Sequence, residues 1–139
     1  MSTATNELFT AIYGTLKAGT ALTSMLSGTA AIYRNQAPAD TDYDYVIFNL
    51  QGGGPTLLTA HQEIDNLIAV QCYSLTSPAR AGSLSHLADN LLDGVTLTLG
   101  SGWTNVNTRR EADIEFAETL PNGQIVYMSG GLYRCSLAK

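Results

Sequence analysis

Few side chains in this chain are equipped for catalysis. Two histidines, His61 and His86, and two cysteines, Cys72 and Cys135, occur in 139 residues. His86 has Ser83, Ser85 and Asp89 close by in sequence, the residue types of an acyl-transfer relay. The G-x-S-x-G turn that would aim a serine nucleophile does not occur, and a relay needs convergence in space that spacing alone does not supply. His61 falls in the polar half of an expected strand and reads as solvated. Neither H-x-x-x-H nor C-x-x-C is present, so no zinc site is expected. The cysteines sit inside expected strands and read as small buried hydrophobes, not as a disulfide or a metal pair.

The carboxylates fall into two groups. Asp40, Asp42 and Asp44 alternate, as do Glu111, Asp113 and Glu115. In extended chain each set would share one face. Asp40-Thr-Asp-Tyr-Asp-Tyr45 opens like a calcium loop, but tyrosine stands where glycine must turn the chain, and no distal glutamate follows. The remaining candidate is Gln51-Gly-Gly-Gly-Pro-Thr56. A phosphate-cradling loop needs a lysine and a helix opening behind it; the lysines are Lys17 and Lys139 only. A dinucleotide fingerprint fails too. The glycines read as a connection between two strands, and no cofactor is expected.

Composition narrows the function classes. Net charge is −5, with seven Lys and Arg, which argues against tight nucleic-acid binding. Charged residues make up 14% of the chain, against about 25% in typical domains. A surface that poor in charge suits coverage by partners. No run approaches eighteen apolar residues, and MSTATNELF lacks the basic-then-apolar pattern of a leader. One domain over 1–139 is expected, neither secreted nor in a membrane.

The elements that would position these groups follow from periodicity. Leu8, Phe9, Ile12, Tyr13 and Leu16 mark a helix over 5–18, ended by Gly19, and a short helical turn follows at 20–27. AAIYRNQAP is a short extended piece ending at Pro38. A central strand covers 43–51, with Val46, Phe48 and Leu50 on one face and Tyr45 and Ile47 on the other. A second covers 62–74. Ser77-Pro78 opens a helix whose stripe is Leu84, Leu87, Ala88, Leu91 and Leu92. VTLTL at 95–99 alternates and reads as a strand, which would complete a crossover. Trp103–Thr119 is a long strand, with Ala112, Ile114 and Phe116 opposite wet Asp113 and Glu115. Pro121-Asn-Gly123 turns the chain into a last strand, where Gly130-Gly131 predicts a bulge or interruption. The expectation is an α+β fold: a mixed, mostly antiparallel sheet with an N-terminal helix and one central helix packed on it.

The order FTAIYGTLKAGTALTSMLSG, AAIYRNQAP, YDYVIFNLQGG, IAVQCYS, SPARAGSLSHLADNLLD and GGLYRCSLA resembles the small tail-completion proteins of long-tailed bacteriophages, tail terminators and tail-to-head joining proteins. The resemblance spans nearly the whole chain as a pattern of elements. LTAHQEIDN and IVYMS depart from the pattern. It implies a homo-oligomeric, hexameric ring in the virion neck, assembled in the host cytoplasm. Such a ring caps the tail tube protein, docks to a head-completion or connector protein, and lets DNA pass without specific binding. Under that reading Asp113 and Glu115, or Asp40, Asp42 and Asp44, line the lumen. Gly52, Gly53, Gly54, Pro55, Thr56 and His61 form a partner-contact loop. The alternative is a small ligand-binding or enzymatic α/β domain.

Overall fold

The computed structural model of the chain describes residues 3–28, 31–55 and 63–139. The elements are α1 (Thr3–Ala18), α2 (Thr20–Thr23), β1 (Ile32–Arg34), β2 (Tyr45–Pro55), β3 (Glu63–Ser74), α3 (Pro78–Leu92), β4 (Thr104–Thr119) and β5 (Ile125–Ala138). The strands form one sheet in the order β1-β2-β3-β5-β4. β1 runs parallel to β2, and the other pairs are antiparallel. The fold is therefore the expected α+β arrangement, with a mixed, mostly antiparallel sheet.

The helices cover one face. The apolar stripe of α1 (Leu8, Phe9, Ile12, Leu16) and that of α3 (Leu84, Ala88, Leu92) meet Val46, Phe48, Ile68, Val70, Cys72, Tyr133, Cys135 and Leu137 in a single buried cluster. In each strand these residues are two apart, as the pleat requires. Burial pushes the Cys72 thiol up to about 12 and the Cys135 thiol up to about 11. Both cysteines are free and buried. Helix α3 begins where serine and proline place it. Ser77 is extended, and its Oγ accepts from the Arg80 N–H at 3.0 Å, filling one of the helix's open donors.

The opposite face carries the alternate residues. The register sets Tyr45, Tyr73, Met128 and Phe116 in one row across β2, β3, β5 and β4. Tyr45 and Tyr73 stack at 5.2 Å, Tyr73 meets Phe116 at 6.4 Å, and Tyr33 meets Tyr45 at 6.1 Å. Tyr43 also stacks on Tyr45. Ile47, Ala69, Val126 and Met128 are buried yet lie outside the central cluster. Among the described residues no helix packs on this face.

Four expectations are corrected. VTLTL forms no strand: Gly94 N–H donates to Thr108 O at 2.8 Å and Leu97 N–H to the Asn105 side chain at 2.9 Å, so the segment is anchored to β4 by isolated bonds. The crossover from β3 through α3 leads instead to β4, which lies beyond β5. The glycines of Gly52–Pro55 continue β2 and pair with Ile64–Leu67 of β3. They are ladder, not loop, and the connection falls at 56–62, outside the described residues. Glycine is required there because Gly53 has φ +127 and a Cβ would lie 2.1 Å from Asp65 O. The Gly130–Gly131 pair makes no bulge; the register shifts lie at Leu50/Gly52 on β2 and at Asn105/Asn107 and Arg110/Ala112 on β4. A Cβ on Gly130 would lie 2.0 Å from Val70 O, and one on Gly131 would lie 2.7 Å from Arg110 Cζ. Close approach, not interruption, explains the pair.

Candidate functional site

The second bulge of β4 builds the most elaborate polar cluster among the described residues. It turns Arg110 toward α3. The guanidinium donates from Nε to Asp113 Oδ1 (2.7 Å), from Nη1 to Tyr133 OH (2.8 Å) and Asp89 Oδ1 (3.3 Å), and from Nη2 to Gly130 O (2.9 Å) and Ser85 Oγ (3.4 Å). Tyr133 donates to Asp89 at 2.7 Å. Asp93 Oδ1 accepts from the Arg110 backbone N–H at 2.8 Å. Burial works against the arginine's charge, but Asp113, Tyr133 and Asp89 outweigh it and hold the group above its ordinary range. Burial, with the bond to Asp89, raises Tyr133. One cation thus ties β4, β5 and α3 together.

This cluster floors a cleft of about 600 Å³ that also exposes Gly82, His86, Glu115 and Ser129. A hydrolytic relay would require a histidine held between serine and carboxylate. Asp89 and Ser85 instead engage Arg110, and His86 Nε2 lies 3.5 Å from Asn90. No group of three or more His, Cys, Asp or Glu among the described residues is placed to hold a metal ion.

The two acidic groups come to the same end of the sheet. Tyr45, at the start of β2, shares its row with Phe116, with β3 and β5 between them, so 40–44 and 115–118 lie toward the same end of the sheet. Burial raises the Tyr73 hydroxyl there, with Glu118 and Tyr43 adding to it. The expected single-faced rows do not form. Asp40 sits in a turn at φ +60, and Asp44 is buried, with its Oδ2 2.9 Å from Arg80 Nε. Arg80 also donates to Met25 O at 2.9 Å, pinning α3 to the chain before β1. Asp42 and Asp40 are exposed. Glu111 is split from Asp113 and Glu115 by the bulge and pairs with Arg134, which also lies 3.7 Å from Asp65. The bond from Arg134 holds the Glu111 carboxyl below its usual range. Asp113 and Glu115 oppose Gly131 and Ser129 on the helix-covered side, beside α3. Of the expected contact loop, Gly52–Pro55 lie in β2, and Thr56 and His61 lie outside the described residues.

Sequence reasoning missed Arg110, Tyr133 and the aromatic row. The tyrosines at 33, 43, 45 and 73 were visible, but only the strand order reveals that they align. Gly131 was the readable sign of Arg110, since its missing side chain makes room for the guanidinium.

A comparison with protein-family models finds no match, and one with curated proteins finds none either. Among solved structures, the chain is similar to one from the virion of the native gene transfer agent (GTA) particle. The TM-score is 0.81 at 15% identity, and the match covers 100% of both chains. At that identity what the two chains are shown to share is the fold, from α1 to β5, with nothing left over at either end.

Proposed function

We propose that this chain is a structural protein of a phage-type virion, acting as a tail terminator or tail-to-head joining ring that caps the tube and lets DNA pass. The carrying observation is the end-to-end likeness to a chain of a virion particle. A domain whose whole length is shared with a particle component works most simply through its surfaces. The uncovered aromatic face fits that role, because apolar sheet faces are normally packed against a second layer.

The competing reading, an enzyme or ligand-binding domain, would place its chemistry in the α3–β4 cleft. There Arg110 engages Asp89 and Asp113, leaving fewer groups for a substrate. The acidic end of the sheet supports a channel lining that repels phosphate. In this reading Asp40, Asp42 and Glu118 face the lumen, and the glycine-edged end of β2 meets the tube or the connector.

The test is light scattering of the purified chain, with negative-stain imaging. A ring several times the 14.8 kDa protomer, with a central hole, is expected. A lone protomer that is missing from purified particles would end the proposal.

A further inference from the structure

One margin of the sheet is left unfinished, on the outer side of β2. β1 flanks β2 only over Val46–Phe48. There Val46 N–H donates to Ala31 O at 3.0 Å, and Phe48 O accepts from Asn35 N–H at 2.9 Å. Asn35, at φ +69, then turns the chain off the sheet, while β2 runs on to Pro55, paired on its other side with β3. Alternate residues of a strand turn their N–H and C=O to the same neighbour. After Val46 and Phe48 the next outward groups are those of Leu50, and no strand among the described residues lies there to meet them. Val46 and Phe48 are buried, whereas Leu50, on the same face, is 39% exposed.

A second observation marks the same place. Asn66 is 2% exposed, and its Nδ2 meets no acceptor among the described residues. A buried donor without an acceptor bears the full cost of its desolvation. The residue between Asn66 and the margin is Gly53, so no β2 side chain stands between that amide and whatever lies outside the strand.

Across the molecule, beside β4, a segment has the matching needs. Burial alternates along 95–99 as in extended chain: Leu97 is buried, and Thr96 and Thr98 are exposed. Leu97 turns its N–H inward to Asn105 at 2.9 Å, whereas the N–H and C=O groups of Thr96 and Thr98 make no hydrogen bond among the described residues. Charge gives the two stretches a direction. Arg34, the last residue of β1, lies over Phe9 at 4.1 Å and donates to Asn6 Oδ1 at 3.3 Å, which puts a positive charge at the head of the open stretch of β2. The exposed Asp93 puts a negative one at the head of 94–99.

We propose that residues 95–99 of one copy add as a strand to β2 of the next, parallel to it as β1 is, with Asp93 toward Arg34. Thr96 and Thr98, two apart, share a face. Thr96 covers Leu50, and the Thr98 hydroxyl accepts from Asn66 Nδ2 across Gly53. Strand addition of this kind gives an open edge its main-chain bonds. The two surfaces differ and lie at opposite margins of one molecule, so the contact is head-to-tail, the kind that closes into rings. The bent, charged outer edge of β4 takes no part, and the far end of β2, Gly54–Pro55, stays available to the tube or the connector. The inference rests on the ring reading and names the surfaces that would form it.

The test is amide hydrogen exchange of the intact chain at an assembling concentration and after dilution, together with two variants. The amides of Leu50, Gly53, Thr96 and Thr98 are expected to slow about tenfold or more in the assembly and to lose that protection together on dilution. Thr98→Pro removes an N–H that has no bond within the protomer, and association is expected to weaken about tenfold or more with an unchanged circular dichroism spectrum. Thr98→Val keeps the N–H and loses the hydroxyl, and is expected to weaken association about threefold. An oligomeric wild type whose four amides exchange as fast as in the diluted protomer, with Thr98→Pro equally oligomeric, overturns this contact and leaves the ring reading standing. A wild type that stays monomeric at every concentration, with those amides unprotected, overturns both. Protection of Leu50 and Gly53 only in the presence of a co-expressed tube protein gives the edge to that partner and overturns the self-contact.

Discussion

The two faces of the sheet are built to different standards. The helix-covered face is complete in one chain: its leucines and cysteines are buried, and the arginine that reaches toward it has an acceptor for every nitrogen. The other face carries a row of aromatic rings with no helix over it among the described residues, and Phe116 there is 43% exposed. The first face accounts for folding and the second is available for association. A change should therefore act on stability or on assembly according to the side it falls on.

The sharpest test of that division lies in the closed core. Leu84→Ala removes a fully buried side chain and should cost about 3 kcal/mol, read as a lowered urea midpoint. Arg110→Met should cost about 2 kcal/mol, because Asp89 loses its cation in a partly buried setting. Gly131→Ala should reproduce part of that loss by displacing the guanidinium.

Alkaline pH probes the same face. The folded-state pKa of Cys72 is raised from 9.0 to about 12 and that of Cys135 from 9.0 to about 11. Their contribution is fully present below pH 9, where both states are protonated. It is lost as pH rises through the folded values, at up to about 1.4 kcal/mol per unit for each thiol. A stability curve flat from pH 9 to 11 would contradict the burial of both thiols. Ser77→Ala should cost about 1 kcal/mol through the lost cap.

The smallest expected effect on stability is the one that would break the comparison. Phe116→Ser on the open face should change the unfolding free energy by less than about 0.5 kcal/mol while weakening assembly in light scattering. A large loss of stability with assembly intact would show that the open face also belongs to the fold.

Much of this architecture was legible beforehand, for identifiable reasons. The stripe Leu84, Leu87, Ala88, Leu91, Leu92 and the Ser77-Pro78 start fixed α3, since periodicity and capping are local. β2 was readable as an interior strand because Val46, Phe48 and Ile47 are apolar on both sides. VTLTL misled because alternation records a side-chain preference, whereas a strand also needs a free edge to pair with; the β4 edge beside it is reached only at Gly94 and the Asn105 side chain. The acidic rows misled for a related reason. One bulge at Arg110/Ala112 shifts the register, and a pattern of period two cannot announce the residue that breaks it. The Arg110 cluster joins residues from 85 to 133, and nothing in a linear reading brings these together.

The two kinks in β4 have a consequence for how this chain meets other chains. An unbroken sixteen-residue margin would be a template on which other chains could stack without limit, the first step toward fibrils. Twice bent and studded with Arg109, Glu111, Asp113, Glu115 and Glu118, it makes a poor one. A strand bent in this way can stay at the margin of its sheet without offering copies of itself a flat edge to extend.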